Sequence, residues 1–125
     1  LHTVTRRQRQ MCIRDRPRPV PIAISMMERH PLGAQAFMPL SDHEWLVVVA
    51  PTNADDSAPN FDGLRCFHAR GDQGVTYAPN VWHHPLLVLQ PQDFLIADRA
   101  GPEGETGNPN LQEHWEDAPV AVVAV

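Results

Sequence analysis

An all-β fold follows from three features of this sequence. From Pro17 onward short apolar runs alternate with turn residues, and none keeps a helical period over about eleven positions. Proline makes up 13 of the 125 residues, about twice its ordinary share. A proline inside a helix costs about 3 kcal/mol, so a helical bundle is excluded. The longest apolar run, Leu46 to Pro51, is far shorter than the ~20 residues of a membrane-spanning helix. The length fits one domain.

The strands are expected in the following order. Pro21–Glu28, Gln35–Leu40 and Trp45–Ala50 are apolar runs of strand length. Pro51–Asn60 has loop chemistry, with repeated Asn, Asp, Ser and Pro. Leu64–Arg70 alternates apolar and polar residues and is expected as a half-buried strand, followed by a turn at Gly71–Gly74. Leu86–Gln90 and Asp93–Asp98 are two more strands. Gly101–Asn110 holds three glycines and two prolines and is expected as loop. Gln112–Trp115 and Pro119–Val125 complete the sheet. Small all-β domains hide their strand edges by closing into a barrel or sandwich.

Charge divides the chain in two. The formal net charge is −5 and there is no lysine. Residues 1–18 carry six of the ten arginines against one acid, a net of +5, and residues 19–125 carry −10. An acidic body repels phosphate, which argues against nucleic-acid partners. Residues 1–16 are expected to be a disordered or non-native basic head, and residues 17–125 the folded domain. The head has no apolar core of a signal peptide, and Arg6–Arg16 resembles translated sequencing-adapter read-through. The cysteines, Cys12 and Cys66, form neither a disulfide framework nor a metal pair.

Two clusters carry chemistry. In Glu28-Arg29-His30-Pro31-Leu32-Gly33-Ala34-Gln35, a strand places Glu28 and His30 on one face. Pro31 and Gly33 turn the chain so that Gln35 opens the next strand. A carboxylate, an imidazole and an amide oxygen suit a divalent ion. The alternative is a surface hairpin with chance polar residues. In Tyr77-Ala78-Pro79-Asn80-Val81-Trp82-His83-His84-Pro85, Asn80 suits a left-handed turn, and adjacent histidines point to opposite faces. The alternative there is a structural aromatic turn. His43, His68 and His114 stand apart and are expected as surface or satisfied histidines.

Together the clusters resemble the two cupin motifs. Glu28-x-His30 followed by Gln35 is similar to the first, with glutamate and glutamine substituted. Ala78-Pro79-Asn80-Val81-Trp82-His83 is similar to the second, with asparagine in place of glycine and the proline displaced by one. The glycine usual after the first motif is replaced by Asp42 or its neighbours. The resemblance assigns the inward place to His83, with His84 facing away or supporting the pocket. The closer likeness is to bacterial ureidoglycolate lyases. Glu28 to Pro39, Gln73 to Tyr77, Asn80 to Leu86, and Asp93-Phe94-Leu95 with Asp98-Arg99 resemble that family's blocks in order and spacing. Ala100 stands where a glycine is usual.

The resemblance implies a cupin-type double-stranded β-helix, or jelly-roll barrel, incomplete at its N-terminus because family members carry a further N-terminal part. It implies cleavage of (S)-ureidoglycolate into glyoxylate and urea in allantoin degradation, by a cytoplasmic homodimer. Activity of this chain is expected to fall below that of a longer relative. Glu28, His30, Gln35 and His83 are the expected ligands of a divalent metal. Nickel is favoured by resemblance, and manganese, zinc and iron remain alternatives. His84, Tyr77 and Asp98 are the acid–base candidates, and Arg65, Arg99 and Asn80 the substrate-binding ones. For both arginines an ordinary strand-end salt bridge is the competing reading. Two other function classes stay open: another metal-dependent cupin acting on a small hydroxy acid or sugar acid, and a non-catalytic small-ligand-binding cupin. The motif glutamine and the absent first histidine argue against an iron dioxygenase, which uses two histidines and one carboxylate.

Overall fold

The structure, a computed structural model, describes residues 8–15, 17–18 and 21–124, the first stretch by its backbone alone. Residues 1–7, 16, 19–20 and 125 lie outside the described residues. The strands are β1 (Gln8–Asp15), β2 (Ile22–Ile24), β3 (Met26–Arg29), β4 (Gln35–Pro39), β5 (Trp45–Ala50), β6 (Arg65–Ala69), β7 (Val75–Tyr77), β8 (Trp82–His83), β9 (Leu87–Val88), β10 (Gln92–Arg99), β11 (Gln112–Trp115) and β12 (Ala121–Val123). A single 3₁₀ turn, Phe61–Gly63, is the one helical element among the described residues. It is far too short to cross a membrane.

The strands form a cupin-type β-sandwich with entirely antiparallel pairing. One sheet has the order β1-β10-β4-β7 and the other β11-β3-β8-β5-β6, with β9 also paired to β5. A β2–β12 ribbon stands apart. Strand β5 shows why the sheets stack. Trp45 and Val47 belong to one apolar cluster, with Phe37, Phe94 and Ile96 of the facing sheet. Leu46, Val48 and Ala50 belong to a second, with Ile22, Ile24 and Val123 of the ribbon. A period of two therefore buries both faces of β5, and the ribbon covers the outer one. Each fully buried large side chain contributes roughly 1.5–3 kcal/mol. Trp45 adds an edge-to-face contact with Phe94, with ring centroids 5.1 Å apart.

The all-β expectation is borne out, and β5 and β11 fall at the expected residues. Four local differences have physical causes. Pro21–Glu28 divides at Ser25 into β2 and β3, which pair with different partners. Leu86–Gln90 shrinks to β9, because β8 and β9 are two pieces of one line along β5 interrupted at Pro85. Strand β6 is mostly exposed rather than half-buried, because it is the outer strand of its sheet. Within the basic head, Gln8–Asp15 pairs over eight residues with β10, whose edge offers unpaired backbone donors and acceptors.

Candidate metal centre and active site

The expected β3–β4 hairpin is instead a turn that crosses between the two sheets, since β3 and β4 are not paired, and this connection assembles the site. Glu28 lies directly opposite His83 on β8. Gln35, the first residue of β4, lies opposite Tyr77 on β7 in the other sheet. Directly opposed residues share a face, so each sheet presents one such pair to the interior. His30 stands just past the end of β3. The two motifs are also tied through the backbone: the Asn80 N–H donates to the His30 carbonyl at 3.0 Å. Asn80 has φ 66°, the left-handed conformation expected of it. Gly33 lets this turn approach Arg99, whose Cβ would lie 3.0 Å from any Cβ placed there.

Glu28, His30 and His83 each offer a ligand atom, all within 4.8 Å of one another. A carboxylate oxygen of Glu28 is 3.6 Å from His83 Nε2 and 3.9 Å from His30 Nε2. Both rings are held by their other nitrogen. His30 Nδ1 sits 2.8 Å from the Asn110 carbonyl, and His83 Nδ1 sits 2.9 Å from the Val81 carbonyl. A carbonyl only accepts, so both rings carry a proton on Nδ1 and turn Nε2 toward the Glu28 carboxylate. His30 Nε2, His83 Nε2 and Gln35 Oε1 are all buried without a hydrogen-bond partner. Such an atom costs about 1–3 kcal/mol. Two imidazole nitrogens converging beside a carboxylate form a donor set that fits a divalent cation. The backbone carbonyls behind the histidines are the orienting partners that such ligands require.

Tyr77 stacks on His83, with centroids 3.9 Å apart and planes 8° from parallel. Burial, then the Glu28 carboxylate, push its hydroxyl far above the ordinary phenol range, so it stays protonated. His84 is buried beside His83 in sequence, but its Nδ1 faces the Pro85 carbonyl at 2.8 Å and its N–H donates to Val48. Burial is the main cause that lowers its pKa, and the neutral ring is favoured. Asp98 lies on β10 and, by strand alternation, shares the inward face of Phe94 and Ile96.

The two candidate carboxylate-binding arginines differ. Arg99 is held by both carboxylate oxygens of Glu105, at 3.0 and 3.2 Å, which is the strand-end salt bridge weighed against a binding role. Arg65 is exposed and lines a cavity of about 510 Å³ with Asn80, Trp82 and Thr52. Of the isolated histidines, His68 pairs with Glu44 and His114 with Glu116, each at 3.0 Å. Cys66 is free and exposed.

Asn110 is a residue that sequence reasoning missed. It is 8% exposed, and besides receiving His30 its side-chain oxygen accepts from the Leu32 N–H at 2.7 Å. In sequence it is one more turn residue in a Gly/Pro-rich loop. Only the long-range contact, 80 residues away along the chain, reveals its place.

A family described as ureidoglycolate lyase matches residues 2–123. Curated relatives of the same name include proteins from Agrobacterium fabrum (strain C58 / ATCC 33970) and Burkholderia mallei (strain NCTC 10229). The first is 51% identical over 110 residues, spanning 87% of this chain and 61% of the relative. The second is 45% identical over 115 residues, spanning 89% and 65%. The relative from Brucella ovis (strain ATCC 25840 / 63/290 / NCTC 10512) is 53% identical over 96 residues, spanning 76% and 52%. The chain thus spans between about half and two thirds of the length of the curated relatives it matches. With the motif residues gathered at one centre and nearly the whole chain matched, the chain belongs to the ureidoglycolate lyase family.

Proposed function

We propose that this chain carries the catalytic centre of a ureidoglycolate lyase, splitting (S)-ureidoglycolate into glyoxylate and urea in allantoin degradation. Family membership supports the substrate. The observation that carries the chemistry is the convergence of two buried, unpartnered imidazole nitrogens, of His30 and His83, beside the Glu28 carboxylate. Residues 17–125 form the catalytic domain in this reading. Glu28, His30, Gln35 and His83 hold a divalent metal in this reading, with nickel favoured by the family likeness and manganese, zinc and iron as the alternatives an N/O ligand set allows. A bound ion supplies Lewis-acid stabilisation of negative charge on oxygen.

The reaction breaks the bond between the carbinol carbon and the urea nitrogen, and the hydroxyl becomes the aldehyde of glyoxylate. One proton leaves the hydroxyl and one reaches the departing nitrogen. His84 is the proposed base, as a neutral imidazole. Tyr77 is the proposed proton donor, because its ring lies against His83 at the centre. Asp98 is the alternative acid–base group on the facing sheet. Asn80 is the proposed substrate-binding residue beside the centre, with its backbone pinned to His30. The enzyme acts as a cytoplasmic homodimer in this reading.

Urea and glyoxylate release from racemic ureidoglycolate tests the proposal, with chelator and then nickel, manganese or zinc restored. The expected result is release of one enantiomer's products, abolished by chelator and by His83→Ala. Release that survives both, or none from folded, metal-supplemented protein, would overturn it.

A further inference from the structure

We propose that Arg65 recognises the carboxylate of the substrate and makes the site selective for 2-hydroxy acids over the corresponding neutral carbinols. The inference rests on the lyase reading above and adds a residue role to it.

The argument starts from strand register. Val49 on β5 is opposite Arg65 on one side and His83 on the other, and His83 is opposite Glu28. Opposed residues in antiparallel strands project from the same face. Arg65 therefore stands on the face that bears His83 and Glu28. It lies two strand spacings from His83, about 10 Å between backbones. An extended arginine side chain is long enough to span most of that gap. What remains is the size of a carbinol carbon bearing a carboxylate.

Electrostatics separates Arg65 from the other arginines beyond residue 18. Arg29 is paired with Asp56, Arg70 with Asp72 and Arg99 with Glu105. Among the described residues Arg65 has no carboxylate partner. It opens instead onto a cavity it shares with Val49, Asn80, Val81 and Trp82, the last of which immediately precedes His83 in the chain. A guanidinium fork with both donors free matches a carboxylate bidentately. A body with a strong net negative charge otherwise repels an anionic substrate, so an unpaired cation on the strand face of His83 has a clear use.

The test compares ureidoglycolate with N-hydroxymethylurea, the same carbinolamide with hydrogen in place of the carboxylate. It uses the metal-supplemented full chain and the variants Arg65→Ala, Arg65→Lys and Arg99→Ala. Arg65→Ala is expected to lower kcat/KM for ureidoglycolate roughly 10- to 100-fold, mainly through KM. The loss is selective for the acid over the neutral analogue. Arg65→Lys recovers part of it, and Arg99→Ala does not reproduce the selectivity. Equal losses on both compounds, no loss on either, or the same selectivity in Arg99→Ala would overturn the inference. If the wild-type chain turns over neither compound, the lyase reading fails on its own. Oxalate binding by calorimetry then decides the role of Arg65. About tenfold weaker binding in Arg65→Ala supports it. Unchanged binding, or no binding to the wild type, overturns it.

Discussion

Gln35→Met separates metal centre from ordinary core more sharply than loss of activity does. The Gln35 Oε1 is buried with no hydrogen-bond partner, while its backbone sits in the β4–β7 ladder opposite Tyr77. Methionine keeps the side-chain length and removes the stranded oxygen. An unsatisfied buried acceptor costs about 1–3 kcal/mol. Gln35 is only half-buried, so relief of about 1–2 kcal/mol is the appropriate figure. At a urea dependence of about 2 kcal/mol/M, the midpoint in chelator rises by roughly 0.5–1 M. With a divalent ion the gap narrows. An ion at 100 times its Kd stabilises the wild type by about 2.7 kcal/mol, and the variant, short of one ligand, gains less. The assay is urea unfolding of both proteins, in chelator and in saturating nickel or zinc. A variant less stable in chelator would refute the stranded-oxygen argument. An ion-dependent gain equal to that of the wild type would refute Gln35 as a ligand.

Two further outcomes follow from groups around the centre. Asn110→Ala is expected to strand the Leu32 N–H, free the carbonyl that orients His30 and weaken metal affinity about 10- to 100-fold. Asn110→Asp, which keeps the acceptor, restores much of it. Nitrogen-15 spectra of the His30 ring check the cause, since the wild type holds its proton on Nδ1; an unchanged tautomer in the alanine variant would refute the orienting role. Asp56 is held below the ordinary carboxylate range, first by its hydrogen bond from Arg29 and then by Thr52. Its contribution to stability is present above its unfolded value of 3.8 and is lost as pH falls from there through the lower folded value. Asp56→Asn removes that acid-side loss. Parallel pH profiles of urea midpoint for the two proteins would count against the Arg29–Asp56 clasp.

Much of the fold was legible before any coordinates. Trp45–Ala50 declares a strand buried on both faces, because a continuous apolar run has no polar side to give to water. Asn80 announces its turn, because few other residues tolerate a positive φ. Strands β7 and β8 were not legible as strands. At three and two residues they are too short to show a period, and their pairing to β4, β3 and β5 defines them. Chain order likewise says nothing of β6 lying at a sheet edge, which is why its alternating pattern did not become a half-buried strand.

The site divides along the same line. Residue types and spacing within each motif named Glu28, His30, Gln35 and His83, since local chemistry and turn geometry are short-range properties written in adjacent residues. Three matters lay beyond that range. Both histidines direct Nε2 inward, because carbonyls at Asn110 and Val81 occupy Nδ1. Tyr77 stacks on His83 from the opposite sheet. Arg99 is taken by Glu105 while Arg65 stays open on the face of His83. Each depends on strand register and sheet packing, which bring together residues far apart in the chain. Sequence alone determined which chemistry the chain holds; tertiary structure decided which atoms of those residues meet.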